Sequence, residues 1–416
     1  MRVAIFHPGT QHSHETALGF QRSRHLAWYA TEIFYDPKRY PYRLIGILPA
    51  SLREKAALEF RRRYHPHLDP ALVRTLGIWE WVERASMRMG LRRAEHYANE
   101  WGNRRFGSRV GAMAVREEVD CLWGCDTSSL NAFRIAKDHG VRCVLEQTIG
   151  HPRAWNRILT EERERMPADF DTYPLPYPES DLARVDEEID LADHVACGSP
   201  FVKSTMVEWG VPAGKVTVIP YGVRVENFMP AALTRPQRGL RLLFVGHFGM
   251  RKGAWYLLQA LTRLKHLPGL TLTILGKQTV GAQYLAPLES MLRLIPHIPR
   301  NQMPAMYHGA DAVVLPSLFE GSAAATYEGL ASGLPVITTP NAGSVVRDGV
   351  DGFIIPVRDI DALAERIERL YHDEPLRGAM GTEARRTALQ YPWERYQHEC
   401  VRVAGLVIGG RAVAWP

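Results

Sequence analysis

Cysteine is scarce: the 416 residues hold five, Cys121, Cys125, Cys143, Cys197 and Cys400, odd in number and widely scattered. That excludes a disulfide-stapled scaffold and fits a reducing compartment. No apolar run approaches the ~20 residues a membrane-spanning helix needs. Met1 to Phe6 passes straight into His7-Pro8-Gly9 without the apolar stretch of a secretory leader. The expected location is therefore the cytoplasm. Internal repeats, low-complexity tracts and coiled-coil heptads are missing too, so neither a solenoid nor a fibrous protein is in view. A strand-following Gly-x-Gly-x-x-Gly is also lacking, which argues against a nicotinamide-dependent dehydrogenase. His12-x-His14, with Glu15 as the sole neighbouring carboxylate, makes a poor zinc signal.

What is present is the balance of a globular protein, 46% hydrophobic and 23% charged, with enough chain for two or three cores. The net charge of +6 is unevenly spread. Between Ser51 and Val110 stand thirteen basic residues against seven acidic ones, so this segment alone carries +6. Trp79, Trp81, Met87, Met89, Leu91, Tyr97, Trp101 and Phe106 are interleaved with those charges. The pattern suits an arginine-rich helical insertion, either solvated with its aromatics turned inward or resting peripherally on anionic lipid at the inner membrane face. No nucleic-acid reading module accompanies it, so nucleic acid is not an expected partner.

Short apolar runs alternate with helix-like stretches in both halves, the pattern of βα units in a parallel sheet. Strands are expected at Arg2 to Phe6, Cys121 to Trp123, Cys143 to Gln147, His194 to Cys197, Val216 to Ile219, Leu240 to Val245, Leu270 to Leu275, Ala312 to Leu315, Pro335 to Thr338 and Phe353 to Pro356. Residues 220–239, rich in Pro and Gly, read as a linker. The expected division is a first Rossmann-like domain over 1–219 with the basic insertion 51–110, a second over 240–395, and a tail over 396–416. Two α/β doubly wound domains would place the carboxyl ends of their sheets at a central cleft. The proline-rich acidic stretch from Leu159 to Leu182 reads as a surface loop or lid. Within it Asp169-Phe170-Asp171 matches an Asp-x-Asp metal motif, yet it lies in a loop and not at a strand end, and chance explains it.

Leu315 to Pro340 carries the most chemistry. A strand ends at Leu315 and a loop leads into a helix of small residues. Glu320 and Glu328 are eight apart, a little over two turns if helical, which would set both carboxylates along one wall. Gly321, Ser322 and the alanines after them leave a helix N-terminus bare, a setting suited to a diphosphate.

Together with Gly333-Leu334-Pro335-Val336-Ile337, Gly343 and Asp351-Gly352-Phe353, this pair resembles the retaining glycosyltransferases of the sucrose-synthase and mannosyltransferase type, glycosyltransferase group 1, family four. The resemblance runs from Leu242 to about Tyr396. It implies a GT-B fold, a nucleotide-diphosphate sugar donor linked to UDP or GDP, a saccharide or lipid-linked acceptor and no separate cofactor or metal. By the same resemblance Glu328 holds the ribose hydroxyls and Glu320 lies by the donor sugar. In Phe244 to Gly253 a strand, the turn at Gly246 and the basic pair Arg251-Lys252 place two cations at one phosphate-sized spot, where they would stabilise the departing diphosphate. The family often has arginine after the first glycine, where this chain has His247. Gly9, in the loop after the first strand, would touch the donor phosphates. His151, after the strand ending near Gly150, would orient the transferred sugar, and Asp126 would contact the acceptor. The helix from Asp186 into the strand at His194 reads as architecture, with Ser199 capping the helix that follows, and Trp393 begins a last helix crossing back to the first domain. The expected activity is a retaining, metal-independent hexosyl transfer in envelope polysaccharide or glycoconjugate synthesis. The alternatives are a nucleotide-sugar epimerase or hydrolase on the same fold, or a non-catalytic nucleotide-sugar-binding protein.

Overall fold

Runs of apolar residues without polar alternation demand burial on both faces, and the strands obey: every residue of Val3–Phe6 and of Ala312–Leu315 is buried. In the computed structural model of the chain these runs build two sheets. The structure describes all residues except 10–11, 37, 39, 41, 48, 50–52, 54–59, 61–62, 77–91, 231–238 and 410–416, and the backbone alone over 92–100.

The first sheet comprises β1 (Val3–Phe6), β2 (Leu26–Thr31), β3 (Val73–Thr75), β4 (Cys121–Cys125), β5 (Arg142–Gln147), β6 (His194–Cys197) and β7 (Val216–Val218), in the order β3-β2-β1-β4-β5-β6-β7. β1 pairs in parallel with both β2 and β4. The second comprises β8 (Leu240–Val245), β9 (Leu270–Leu275), β10 (Leu292–Ile295), β11 (Ala312–Leu315), β12 (Val336–Thr338) and β13 (Gly352–Ile354), in the order β10-β9-β8-β11-β12-β13. β8 pairs in parallel with β9 and β11. Strand order reverses between β1 and β4 and again between β8 and β11. Loops leaving those four strands therefore open at the positions where α/β sheets hold ligands.

Three strands went unread in the sequence, β2, β3 and β10. β3 is a three-residue edge strand, and β10 is an edge strand whose central Arg293 and Leu294 are exposed, so neither carries a buried apolar run. β2 is flanked by His25 and Glu32 in place of turn residues, which hides its ends.

The chain divides into two compact units, Met1–Gln147 with Ser180–Ala196 and Gln397–Pro416, and Thr148–Glu179 with Cys197–Tyr396. The stretches 148–179 and 197–219, assigned from sequence to the first domain, thus pack with the second unit. The reason is apolar burial: Ala154, Trp155, Ile158, Leu159, Met166 and Phe170 share one core with Leu242, Phe244, Phe248 and Leu257. The described part of the expected linker is not loose either. Phe228 is buried against Tyr307, and Arg385 donates to the carbonyls of Val225, Phe228 and Ala331.

Of the basic insertion, Trp79, Trp81, Met87, Met89 and Leu91 lie outside the described residues, as do Arg61, Arg62 and the side chain of Tyr97. Trp101 is exposed with the Arg105 guanidinium over its ring, whereas Phe106 is buried against Phe6. Arg63, counted from sequence among the surface cations, is 2% exposed. No helix among the described residues is long and apolar enough to cross a membrane.

Candidate active site

The second unit builds its site from the loops that leave β8 and β11. After Val245 the chain turns at Gly246, whose φ of +123° puts it where an L side chain is strained. A Cβ there would stand 2.8 Å from Lys252 Cε, so the missing side chain is what lets Lys252 lie across the turn. Met250–Lys252 forms one 3-10 turn. Gly253, at φ +75°, then brings the backbone so close to the carbonyl of Pro316 that a Cβ would sit 1.9 Å from it. The two loops are sewn together: Leu318 and Phe319 donate their backbone N–H groups to the Arg251 carbonyl at 2.9 and 3.2 Å, and Arg251 Nη1 donates to the Phe319 carbonyl at 3.1 Å.

This stitching brings Glu320 between the two cations. Arg251 Nη1 and Lys252 Nζ lie 2.9 and 2.8 Å from the same carboxylate oxygen. Burial pushes the Glu320 carboxyl up, but Lys252 and Arg251 outweigh it and hold the group below the usual carboxylate range. The result is a buried anion clamping two cations, of which Arg251 is about one-third exposed and Lys252 is 11% exposed.

The helix of small residues runs over Ala324–Ala331, so Glu320 lies in the loop before it and only Glu328 is helical. The shared-face arrangement expected from an eight-residue spacing does not form, because Ala323 is extended and ends the loop. That helix starts without a side-chain cap. Gly321 is wedged against the chain, a Cβ there standing 1.7 Å from the Thr148 carbonyl. Ser322 hydrogen-bonds the Tyr327 hydroxyl at 2.8 Å and donates to the Gly343 carbonyl at 3.0 Å.

Glu328 points into a different setting. It is buried, accepts a hydrogen bond from the Tyr307 hydroxyl at 2.8 Å and is ion-paired with Arg300. Burial raises its carboxyl above the ordinary value, with Arg300 and Tyr307 opposing. Sequence reasoning missed Arg300 and Tyr307, which lie 28 and 21 residues before Glu328 and share no local spacing with it.

His247 Nε2 is 2.8 Å from Thr279 Oγ1, and the ring meets Tyr173 edge-on at 5.0 Å. Burial lowers its pKa. A cavity of about 220 Å³ lies beside it, lined by Trp155, Tyr173, Tyr177, Arg251 and Phe319 among others. One wall of that cavity comes from the proline-rich stretch. Asp171 Oδ2 accepts the Met250 N–H at 2.8 Å, while Asp169 accepts hydrogen bonds from Gln283 Nε2 at 2.8 Å and from the Tyr284 hydroxyl. Asp171 therefore fastens this strap to the Gly246–Gly253 loop, and Asp169 fastens it to the helical turn that follows β9.

His151 is 2% exposed and serves as an N-cap, its Nδ1 accepting the Arg153 N–H at 3.2 Å while the ring stacks on Trp209. In the first unit Gly9 packs over His7, with Thr10 and Gln11 outside the described residues. Asp126, at the end of β4, is buried beside Gln147, whose amide approaches it at 3.4 Å. Among the described residues no group of three His, Cys, Asp or Glu side chains is placed to hold a metal ion.

Two parallel sheets, each with a reversal of strand order, carry a glycine-turn loop with paired cations and a following acidic loop, and the architecture is that of the GT-B fold. Residues 226–387 match the family model "Glycosyl transferases group 1". It is 26% identical over 333 residues, 73% of this chain and 80% of the other, to the GDP-mannose-dependent alpha-(1-6)-phosphatidylinositol monomannoside mannosyltransferase of Mycolicibacterium smegmatis. It is similar in fold to sucrose-phosphate synthase from Thermosynechococcus elongatus, with TM-score 0.67 and 16% identity over 98% of this chain and 99% of that one. It is likewise similar to Anabaena Alr3699/HepE in complex with UDP, at TM-score 0.60, 13% identity and coverage of 96% and 98%. The alignment spans about half the length of the first curated relatives it matches.

Proposed function

We propose that the chain transfers a hexosyl group from a UDP- or GDP-linked sugar to a hydroxyl of a saccharide or lipid-linked acceptor in envelope polysaccharide or glycoconjugate synthesis. The observation that carries this reading is the pairing of Arg251 and Lys252 on the buried Glu320 carboxylate. A carboxylate fixes both cations beforehand, so that when the bond from the anomeric carbon to the diphosphate breaks, the growing charge meets donors already in place. Glu328 would take the ribose hydroxyls in exchange for Arg300, whose side chain is 68% exposed and able to leave. With two cations at the diphosphate no metal is required, and the acceptor attacks from the face the diphosphate leaves, retaining configuration.

The test is thermal stabilisation of the full chain by a panel of UDP- and GDP-hexoses, without metal and then with Mg²⁺ or Mn²⁺. A shift with one donor, absent in Glu328→Ala and accompanied by a fall in kcat of about 10²-fold or more in Arg251→Ala, is the expected result. Turnover abolished by chelator and restored by Mn²⁺ would refute metal independence, and inverted product configuration would refute retention. Free sugar or an epimer without acceptor would favour the hydrolase or epimerase reading. Peripheral docking on anionic lipid through 51–110 is part of the same reading, and failure to co-sediment with phosphatidylglycerol vesicles at low salt would remove it.

A further inference from the structure

The cavity beside His247 has aromatic walls and no assigned occupant. Every residue that lines it belongs to the second unit, so its shape does not depend on the first. The strap supplies Tyr173 and Tyr177, the helix Pro152–Arg165 supplies Trp155, and the loops after β8 and β11 supply His247, Arg251 and Phe319. Trp155 and Phe319 are buried, with ring centroids 5.4 Å apart. Tyr173 differs from them, because its ring is 59% exposed and yet held in place. Its backbone N–H donates to Asp171 Oδ1 at 3.1 Å, Lys277 Nζ stands 4.4 Å from the ring centroid, and the His247 ring meets it edge-on. A large ring fixed at the rim of a cavity offers an apolar contact face at little further cost in order.

Size narrows the occupant. The volume of about 220 Å³ falls below the ~300–1,000 Å³ of pockets that take drug-sized ligands, which suits one small ring and not a nucleoside. Glu328, Arg300 and Tyr307, grouped elsewhere in the unit, do not line it. Chemistry narrows it further. Burial, with Lys277, Arg251 and Lys252 nearby, lowers the His247 pKa against the pull of Asp171, so the ring is neutral at pH 7. A neutral imidazole is a poor partner for a phosphate but suits a hydroxyl, since it has one nitrogen to donate and one to accept. Nε2 faces Thr279 Oγ1, and among the described residues Nδ1 makes no hydrogen bond. Arg251 lines the cavity and also pairs with Glu320, so the cavity adjoins the two-cation clamp. A pyranose matches this mixture: its C–H faces pack on the electron-rich face of an aromatic ring, and its hydroxyls take the polar groups.

We propose that this cavity receives the hexosyl ring of the donor, with a C–H face on Tyr173 and hydroxyls on His247 and Arg251. The inference rests on the donor reading above and narrows it. The strap 166–177, expected from sequence in the first domain, becomes the element that selects the transferred sugar, and His247 serves the sugar and not the diphosphate.

Isothermal titration of the full chain with UDP, GDP, UDP-glucose, UDP-galactose and GDP-mannose separates the hexose from the nucleotide. Tyr173→Ala should weaken binding of the hexose donor about tenfold, while affinity for the matching nucleoside diphosphate stays within about threefold. Tyr173→Phe retains the ring and should retain donor affinity, which tells stacking apart from collapse of the strap. His247→Phe keeps an aromatic ring beside Tyr173 without a polar nitrogen, and should weaken the hexose donor about fivefold more than the diphosphate. Equal loss for donor and diphosphate in Tyr173→Ala, no loss for either, or a diphosphate that binds while no hexose donor does, would overturn this inference alone. If neither UDP nor GDP binds the unaltered chain, the donor reading falls and this inference falls with it.

Discussion

His14 shows what one buried side chain does to the pH response of the protein. Its ring meets Tyr29 and Phe34 edge-on, and burial, aided by the neighbouring His65, lowers its pKa from 6.5 to about 3. The unfolded chain takes up a proton as pH drops through 6.5, whereas the folded chain does so near 3. Between those values the unfolded state binds more protons, so stability falls with falling pH. From pH 6.5 to 5 the loss is roughly 2 kcal/mol at 1.36 kcal/mol per unit. Urea midpoints at pH 7 and 5 should therefore converge in His14→Phe, and an undiminished difference would refute this account. The same scale separates what the sequence declared from what it concealed. Arg251 and Lys252 were legible because they are adjacent after a strand and a glycine. Arg300 was not, because its partner Glu328 is reached through folding and not through spacing. Glu320 was found in its loop, but the shared helix face that its spacing from Glu328 would allow does not form, since Ala323 is extended.

At the scale of elements, the strap 166–177 is pinned along its length. Trp155 Nε1 donates to the Leu175 carbonyl, the amide of Asn156 bonds both the carbonyl and the N–H of Tyr177, and Phe170 packs against Trp255 and Tyr284. Such a segment is a wall rather than a moving lid, because opening it would strand several of these groups. Asp171 is its link to the Gly246–Gly253 loop. Asp171→Ala leaves the buried Met250 N–H without an acceptor and should destabilise the chain by about 1–3 kcal/mol, with weaker donor binding because the loop loses its brace. Denaturation and donor titration of that variant check both effects, and an unchanged unfolding midpoint would show that water replaces the carboxylate. A proline-rich acidic stretch reads as a loop on composition alone. Its attachment is invisible until Phe170 is seen between two aromatic rings on other elements.

For the whole molecule, the proposed donor residues Gly246, Arg251, Lys252, Glu320 and Glu328 belong to the second unit, while Gly9 belongs to the first. Addition of a bound nucleotide sugar should slow amide hydrogen exchange over Gly246–Lys252 and Ser317–Glu328. Protection spread equally over β1, β4 and β5 with donor alone would contradict that assignment. The last helix, Trp393–Val407, starts in the second unit, and from Gln397 it belongs to the first. There Gln397 Nε2 donates to Glu15 at 2.9 Å and its carbonyl oxygen accepts from Arg22 at 2.8 Å. Gly19 leaves the room for this, a Cβ at that position standing 2.8 Å from Gln397 Cβ.

By itself the sequence determined the α/β class, most strands of both sheets, the loops bearing Gly246, Arg251, Lys252 and Glu320, and the helix bearing Glu328. These are properties of local runs: unbroken apolar stretches for buried parallel strands, glycines and cations placed next to strand ends. Only the tertiary structure decided where 148–179 packs, what Asp169 and Asp171 hold, that Arg300 and Tyr307 attend Glu328, and that His12 meets Glu146 across 134 residues. Each of those depends on contacts between distant segments. Burial of a shared apolar surface selects such contacts, and no spacing along the chain records them.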